Sequence, residues 1–247
     1  MKYNSSLLIP FLLMCSMLFA GNQTNDICLT DSGLASLERK PDADPLRYLD
    51  YVKNLQKAVK IAQDEERPIV LCIGSSSFRR WAAQEALPEF RVINFGFGGS
   101  RFSDVNALWS YLIPPVKPDY ILIYEGDNDV VVGKSVFQVY EDFLETMGRL
   151  QAEFPDSKII IVPVKPSPNR VKFWPKAQSL NAAMKVYATS RENITMVEGA
   201  HVGLLDEAGI PHPQLYLDDG IHFTEEGYAV WNVNIRASLL KLSTKDL

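Results

Sequence analysis

The hydrophobic pattern of the chain alternates between short apolar runs and longer stretches in which apolar residues recur every three or four positions. The apolar runs are residues 69–73, 91–95, 120–124, 158–162 and 194–197. Runs of this length predict strands that are buried on both faces, as in a parallel sheet. The stretches between them have helical spacing, as in Val136, Tyr140, Leu144, Met147 and Leu150. The alternation predicts a three-layer α/β/α sandwich around a central, about five-stranded parallel sheet.

Helical spacing also predicts a first helix from Leu46 to Ala62 and a last helix containing Tyr228 and Leu239. Residues 46–247 are therefore interpreted as a single domain. Residues 22–45 are polar and aperiodic and are interpreted as a tether.

The N-terminal residues 1–21 are interpreted as a secretory signal peptide. Lys2 is followed by an apolar stretch, residues 7–20, which is too short to cross a bilayer comfortably. We expect a periplasmic or secreted protein without stable membrane insertion once the signal is removed. A lipoprotein is the disfavoured alternative, because Cys15 lacks the small preceding residue that a lipoprotein signal requires.

Composition excludes several classes of function. The chain is 47% hydrophobic and 22% charged, as in an ordinary globular protein, and its net charge is −5 with dispersed basic residues, so nucleic acid is not an expected partner. Three histidines and scattered cysteines do not support a metal site. Cys72 lies in an apolar run, where free cysteine is a small hydrophobe, and a disulfide with Cys28 is the disfavoured alternative.

Polar clusters follow the first three predicted strands, and a fourth cluster precedes the last helix. They are residues 75–77, 96–100, 126–129 and 219–222. Because the carboxyl ends of parallel strands meet at one edge of a sheet, we expect the clusters to converge. The serines 75–77 either supply a nucleophile at the start of a helix or simply cap that helix. Loop chemistry alone also favours Gly, Asn and Asp at such places, so the ordered set is more informative than any single cluster.

The ordered set resembles the sequence blocks of the SGNH hydrolases, also called GDSL-type esterases and lipases. The blocks are Gly74-Ser75-Ser76-Ser77, Gly99, Gly126-Asp127-Asn128-Asp129 and Asp219-Gly220-Ile221-His222. The resemblance extends from about Arg67 to Leu242 and implies a flavodoxin-like fold. The first block has Ser75 and Ser77 where the family often has Asp and Leu, which resembles a bacterial Gly-Ser-Ser-Ser subgroup.

The resemblance also implies a role for each matching residue. Ser76 would be the nucleophile, His222 the general base and Asp219 the group that orients the imidazole. The backbone N–H groups of Ser76 and Gly99 and the amide of Asn128 would form the oxyanion hole. No cofactor or metal is implied. Alternatively, Asp219 and His222 belong to a turn before the last helix.

Two other motifs are excluded, and two acidic residues are given a structural interpretation. A dinucleotide-binding fingerprint starting at Gly96 would need glycine at Arg101, and a Gly-x-Ser-x-Gly elbow would need glycine at Phe78. Asp127 and Asp129 are interpreted as turn residues only.

The sequence indicates little about the substrate. Trp81, Phe97, Phe102 and Trp174 are candidates for a substrate pocket, although core residues would have the same pattern. The aperiodic stretch 163–174 is a candidate rim loop. We expect a small-molecule ester as substrate: a short-chain lipid, aryl or O-acetyl-carbohydrate ester. An O-acyltransferase acting on a carbohydrate, and a non-catalytic carbohydrate- or lipid-binding protein, are the alternatives.

Overall fold

The computed structural model describes residues 45–58 and 66–243. A 3₁₀ helix, Pro45–Tyr48, leads into helix α1, Leu49–Ala58. The predicted signal peptide, nearly all of the predicted tether, Cys28 and the last residues of the predicted first helix lie outside the described residues.

The described residues form a five-stranded sheet in which all neighbouring strands are parallel. Its order is β2-β1-β3-β4-β5. The strands are β1 (Ile69–Gly74), β2 (Arg91–Gly96), β3 (Tyr120–Tyr124), β4 (Lys158–Ile161) and β5 (Ile194–Met196). The predicted α/β fold is confirmed, and each strand begins and ends within one residue of its predicted position.

Helices connect the strands and cover both faces of the sheet. They are α2 (Ser76–Arg79), α3 (Ala83–Ala86), α4 (Phe102–Ala107), α5 (Trp109–Leu112), α6 (Val136–Glu153), α7 (Trp174–Thr189) and α8 (Glu225–Ser243). Two further 3₁₀ helices are Pro168–Phe173 and Pro213–Leu215. The N-cap residue of α4 is Arg101, and its backbone N–H donates to Asp104 Oδ2 at 3.1 Å.

Alternating side chains of the central strands enter two separate hydrophobic clusters. Leu71 and Ile73 of β1 belong to the cluster that includes residues of α1, α4, α6 and α7. Val70 and Cys72 belong to the other cluster, with Phe78 of α2 and residues of α8. Cys72 is a buried free thiol. The two clusters are the two interfaces of a three-layer sandwich.

The strand order creates a topological switch point beside β1. From β1 the chain moves to β2 on one side and then to β3 on the other, so the loops after β1 and β3 diverge at their carboxyl ends. Gly74 pairs with Tyr124 at this edge, and the backbone N–H of Ser75 donates to the Tyr124 carbonyl at 3.1 Å. Open α/β sheets bind their ligands in this crevice. The fold therefore places the first and third polar clusters side by side.

A carboxyl group is buried immediately after β3. Glu125 is 1% exposed and accepts a hydrogen bond from Ser100 Oγ at 2.5 Å. Burial raises the pKa of Glu125 well above its ordinary value; the Ser100 hydrogen bond opposes this, and the nearby Asp129 and Asp127 add to it. The raised pKa favours the neutral form of Glu125, which lies next to the loop that carries Gly99 through its hydrogen bond with Ser100.

Replacing this acid should change how stability depends on pH. In the unfolded chain a glutamate ionises near pH 4.3, whereas the folded state keeps Glu125 protonated, so the folded state binds more protons and stability falls as pH rises through this range. Relative to Glu125→Gln, the wild-type free energy of unfolding should fall between pH 5 and pH 7, by up to about 1.4 kcal/mol per pH unit. Urea unfolding of both proteins at the two pH values measures this. If the free energies of unfolding of wild type and Glu125→Gln change with pH in the same way, Glu125 ionises in the folded state as it does in the unfolded chain.

Candidate active site

Ser76 is the first residue of α2, directly after the turn that ends β1. Its hydroxyl lies 2.7 Å from Nε2 of His222 and is mostly buried. Ser75 instead donates to Asp127 Oδ1 at 3.2 Å, and Ser77 is buried. Ser75 occupies the N-cap position, but its side chain makes no capping hydrogen bond. Of the three serines, Ser76 is the one that the fold directs at the histidine.

Asp219 and His222 lie on the tight turn that precedes α8. Asp219 Oδ2 is 2.5 Å from Nδ1 of His222, and Oδ1 accepts from the backbone N–H groups of Ile221 and His222 at 2.8 and 2.9 Å. Burial alone would raise the pKa of Asp219, but these hydrogen bonds, led by the His222 ring, hold it well below its ordinary value. An ionised Asp219 keeps the proton of a neutral His222 on Nδ1, which leaves Nε2 free to accept from Ser76.

Gly99 and Asn128 lie on the loops after β2 and β3, at the same edge of the sheet as the segment that carries Ser76. Gly99 has φ +75°, in the left-handed region that favours glycine, and a Cβ there would lie 3.1 Å from Tyr48 Oη. Asn128 Nδ2 donates to the carbonyl of Ser100 at 2.8 Å, next to Gly99. The amide of Asn128 is therefore tied to the loop that carries Gly99.

Two residues from the 163–174 stretch contact the site in ways that the sequence did not indicate. Arg170 donates to the Asp127 carbonyl and Asn128 Oδ1 and forms an ion pair with Asp127 Oδ2 at 3.2 Å. Lys165 donates to the carbonyl of Ile221 at 2.5 Å, and burial lowers its pKa to about 8. Asp127 is therefore more than a turn residue, because it pairs with both Ser75 and Arg170.

Three of the four predicted pocket residues are buried in the two hydrophobic clusters. Trp81 is buried, packs against Phe78 and donates from Nε1 to Asn232 at 2.7 Å. Phe97 and Phe102 are buried in the cluster on the other face of the sheet. Phe97 packs against Tyr48, and Phe102 packs against Phe143 of α6. Trp174 is half-buried against the ring of His201 and lines a small cavity beside Asp127 and Arg170.

Other features of the described residues lie apart from the serine. A cavity of about 460 Å³ is lined by α7, β5 and residues 198–202, and Ser76, Asn128 and His222 do not line it. Within residues 45–58 and 66–243, no three His, Cys, Asp or Glu side chains are grouped so that they could hold a metal ion. In the same part of the chain, no helix has the length and apolar character needed to cross a membrane.

Several solved structures share this fold. A Streptococcus pneumonia protein described by reference to platelet activating factor has a TM-score of 0.67 at 18% identity, covering 78% of this chain and 94% of its own. A GDSL-like lipase from Bacteroides thetaiotaomicron has a TM-score of 0.64 at 22% identity, and the match covers 81% of this chain and 100% of that chain. A carbohydrate esterase family 3 protein from Talaromyces cellulolyticus has a TM-score of 0.55 at 16% identity, and the match covers 73% of this chain and 99% of that chain. At these identities the likeness establishes the fold.

Sequence comparison establishes the family. No protein of curated function matches the chain. The model of the GDSL-like Lipase/Acylhydrolase family matches residues 63–230, which include all four polar blocks. The match covers more than half of the chain, and the chain therefore belongs to the GDSL-like lipase/acylhydrolase family.

Proposed function

We propose that the protein is a serine ester hydrolase that cleaves small acyl esters through an acyl-enzyme on Ser76. The observation that carries this proposal is the continuous hydrogen-bonded chain from Ser76 Oγ through both ring nitrogens of His222 to Asp219. A serine hydroxyl is a weak nucleophile until a base within hydrogen-bonding distance can take its proton, and His222 Nε2 meets that requirement.

In the first half-reaction, Ser76 Oγ attacks the ester carbonyl carbon while His222 Nε2 takes the hydroxyl proton. The resulting oxyanion is stabilised by the N–H groups of Ser76 and Gly99 and by the Asn128 amide. His222 then donates its proton to the departing alcohol oxygen as the carbon–oxygen bond breaks, which leaves the acyl group on Ser76. Asp219 stabilises the imidazolium without taking the proton itself.

In the second half-reaction, water replaces the alcohol. His222 removes a proton from the water as its oxygen attacks the acyl carbon, and the same donors stabilise the second oxyanion. Collapse releases the carboxylic acid and returns the proton from His222 to Ser76 Oγ. An acceptor hydroxyl in place of water would make the protein an acyltransferase, so products are analysed with and without a sugar acceptor.

We propose that the acyl group of the substrate is small. Trp81, Phe97 and Phe102 are committed to the core, and the cavity near Asp127 and Arg170 is small. Short-chain lipid, aryl and O-acetyl-carbohydrate esters are therefore the proposed substrates. A periplasmic or secreted location, inferred from residues 1–21, is part of the proposal.

Removing the hydroxyl of Ser76 should abolish ester hydrolysis. Because Ser76→Ala leaves no atom to carry the acyl group, kcat for p-nitrophenyl acetate should fall at least about 10³-fold, with thermal unfolding unchanged. Ser179→Ala removes an exposed hydroxyl on α7 and serves as the matched control, with wild-type kcat expected. Wild-type turnover by Ser76→Ala would end the assignment, whereas a folded wild type inert to acetyl, butyryl and sugar esters would favour the binding-protein alternative.

The pH dependence of hydrolysis should show one ionisation on the acid side. Asp219 stays charged under acid conditions because its pKa is held low, so the protonation of His222 alone should remove activity as pH falls. A plot of log kcat/KM against pH, measured from pH 4 to 8 with p-nitrophenyl acetate, should therefore rise with a limiting slope of about one. A slope of two, or a flat profile, would contradict this division of roles.

A further inference from the structure

The 3₁₀ helix Pro168–Phe173 contacts both halves of the site with two consecutive residues. The oxyanion-hole amide comes from the loop after β3, and the Asp219–His222 turn comes from the segment before α8. These loops are far apart in sequence, so their relative position depends on contacts between them. Asn169 and Arg170 provide such contacts within the described residues.

Arg170 holds the loop after β3. Its guanidinium donates to the Asp127 carbonyl at 3.0 Å and to Asn128 Oδ1 at 2.9 Å, and it forms an ion pair with Asp127 Oδ2. Its side chain is 19% exposed, so these charge-assisted hydrogen bonds are partly shielded from water. The guanidinium fork therefore fixes both the backbone and the side chain of this loop.

The contact with Asn128 also decides which way its amide faces. Arginine has only donors, so it pairs with the amide oxygen and opposes the flipped amide, which would present a second donor to it. In the observed orientation Nδ2 faces the Ser100 carbonyl and can donate to an oxyanion. A flipped amide would direct an oxygen at the developing negative charge.

Asn169 holds the other half of the site. Its side-chain Nδ2 donates to the Asp219 carbonyl at 2.5 Å, and its backbone N–H donates to the Gly220 carbonyl at 3.0 Å. Gly220 has φ +59°, and a Cβ there would approach the Asn169 side chain to 2.8 Å. The turn that carries Asp219 and His222 is thus packed closely against Asn169.

We propose that Asn169 and Arg170 are positioning residues that fix the position of the oxyanion hole relative to the Asp219–His222 pair. The inference rests on the proposed ester hydrolysis and assigns neither residue contact with the reacting atoms. Arg170 acts through Asn128, and Asn169 acts through the turn that carries His222.

Two double-mutant cycles test the proposal, with p-nitrophenyl acetate as the substrate. Arg170→Met should lower kcat about 10- to 100-fold with KM little changed, because orientation matters most in the transition state. In an Asn128→Ala background the same change should lower kcat less than about 3-fold, because the amide through which Arg170 acts is gone. Lys172→Met, which removes an exposed cation from the same 3₁₀ helix, is the matched control and should retain wild-type kcat.

The second cycle pairs Asn169→Ala with His222→Ala. Asn169→Ala should lower kcat about 10-fold in the wild type and little in the His222→Ala background. Thermal unfolding is recorded for every variant. If Arg170→Met does not fold, Arg170→Gln replaces it in the first cycle, since one amide donor remains to support the loop.

The outcomes separate this inference from the proposed function. Coupling in both cycles, seen as a smaller fold-loss once the partner residue is removed, supports both assignments, and coupling in only one cycle supports that residue and overturns the other. The inference is overturned if each substitution lowers kcat by the same factor in the wild type and in the second background, or if Arg170→Met and Asn169→Ala leave kcat unchanged. Ser76-dependent turnover would stand in both cases. A folded wild type without Ser76-dependent turnover overturns the proposed function and this inference together.

Discussion

The parallel pairing of β1 with β3 is the constraint on which the site depends. Both strands are buried on both faces, so their register is fixed by packing as well as by backbone hydrogen bonds. The register places Gly74 beside Tyr124. Ser76 and Asn128, two and four residues beyond this pair, therefore lie on segments that leave the same edge of the sheet at the switch in strand order. A shift of either strand would change how these two segments are placed relative to each other.

Polar groups are concentrated at this edge of the sheet, and because they are buried, each needs a hydrogen-bonding or ionic partner. Glu125, Lys165 and the Arg170–Asp127 pair are withdrawn from water next to the loops of the site. An unpaired polar group in such a place is costly, and a satisfied one fixes the geometry of its neighbours. Glu125 supports the Gly99 loop through Ser100, and Lys165 supports the Asp219–His222 turn through Ile221. Buried polar groups therefore support both of these segments of the site through hydrogen bonds.

Much of the fold followed from the hydrophobic pattern, because buried parallel strands are continuous apolar runs in the sequence. The order of polar blocks identified the family and singled out Ser76, Asp219 and His222, which the fold brings within hydrogen-bonding distance. The role of Asp127 and the contacts of Arg170 could not be predicted from the sequence. An ion pair between loops that are far apart in the chain produces no recognisable local sequence pattern. Trp81, Phe97 and Phe102 are buried in the hydrophobic clusters, and the sequence could not show this, since an aromatic residue near a strand end has the same sequence pattern in a core and in a pocket.

We propose that the fold activates Ser76 through His222. Intact-mass measurement after fluorophosphonate labelling tests this activation, with wild type, Ser76→Ala and His222→Ala compared under the same conditions. We expect one adduct on the wild type, none on Ser76→Ala and much slower labelling of His222→Ala. An adduct that forms on Ser76→Ala at the wild-type rate, or no adduct on the folded wild type, would contradict it.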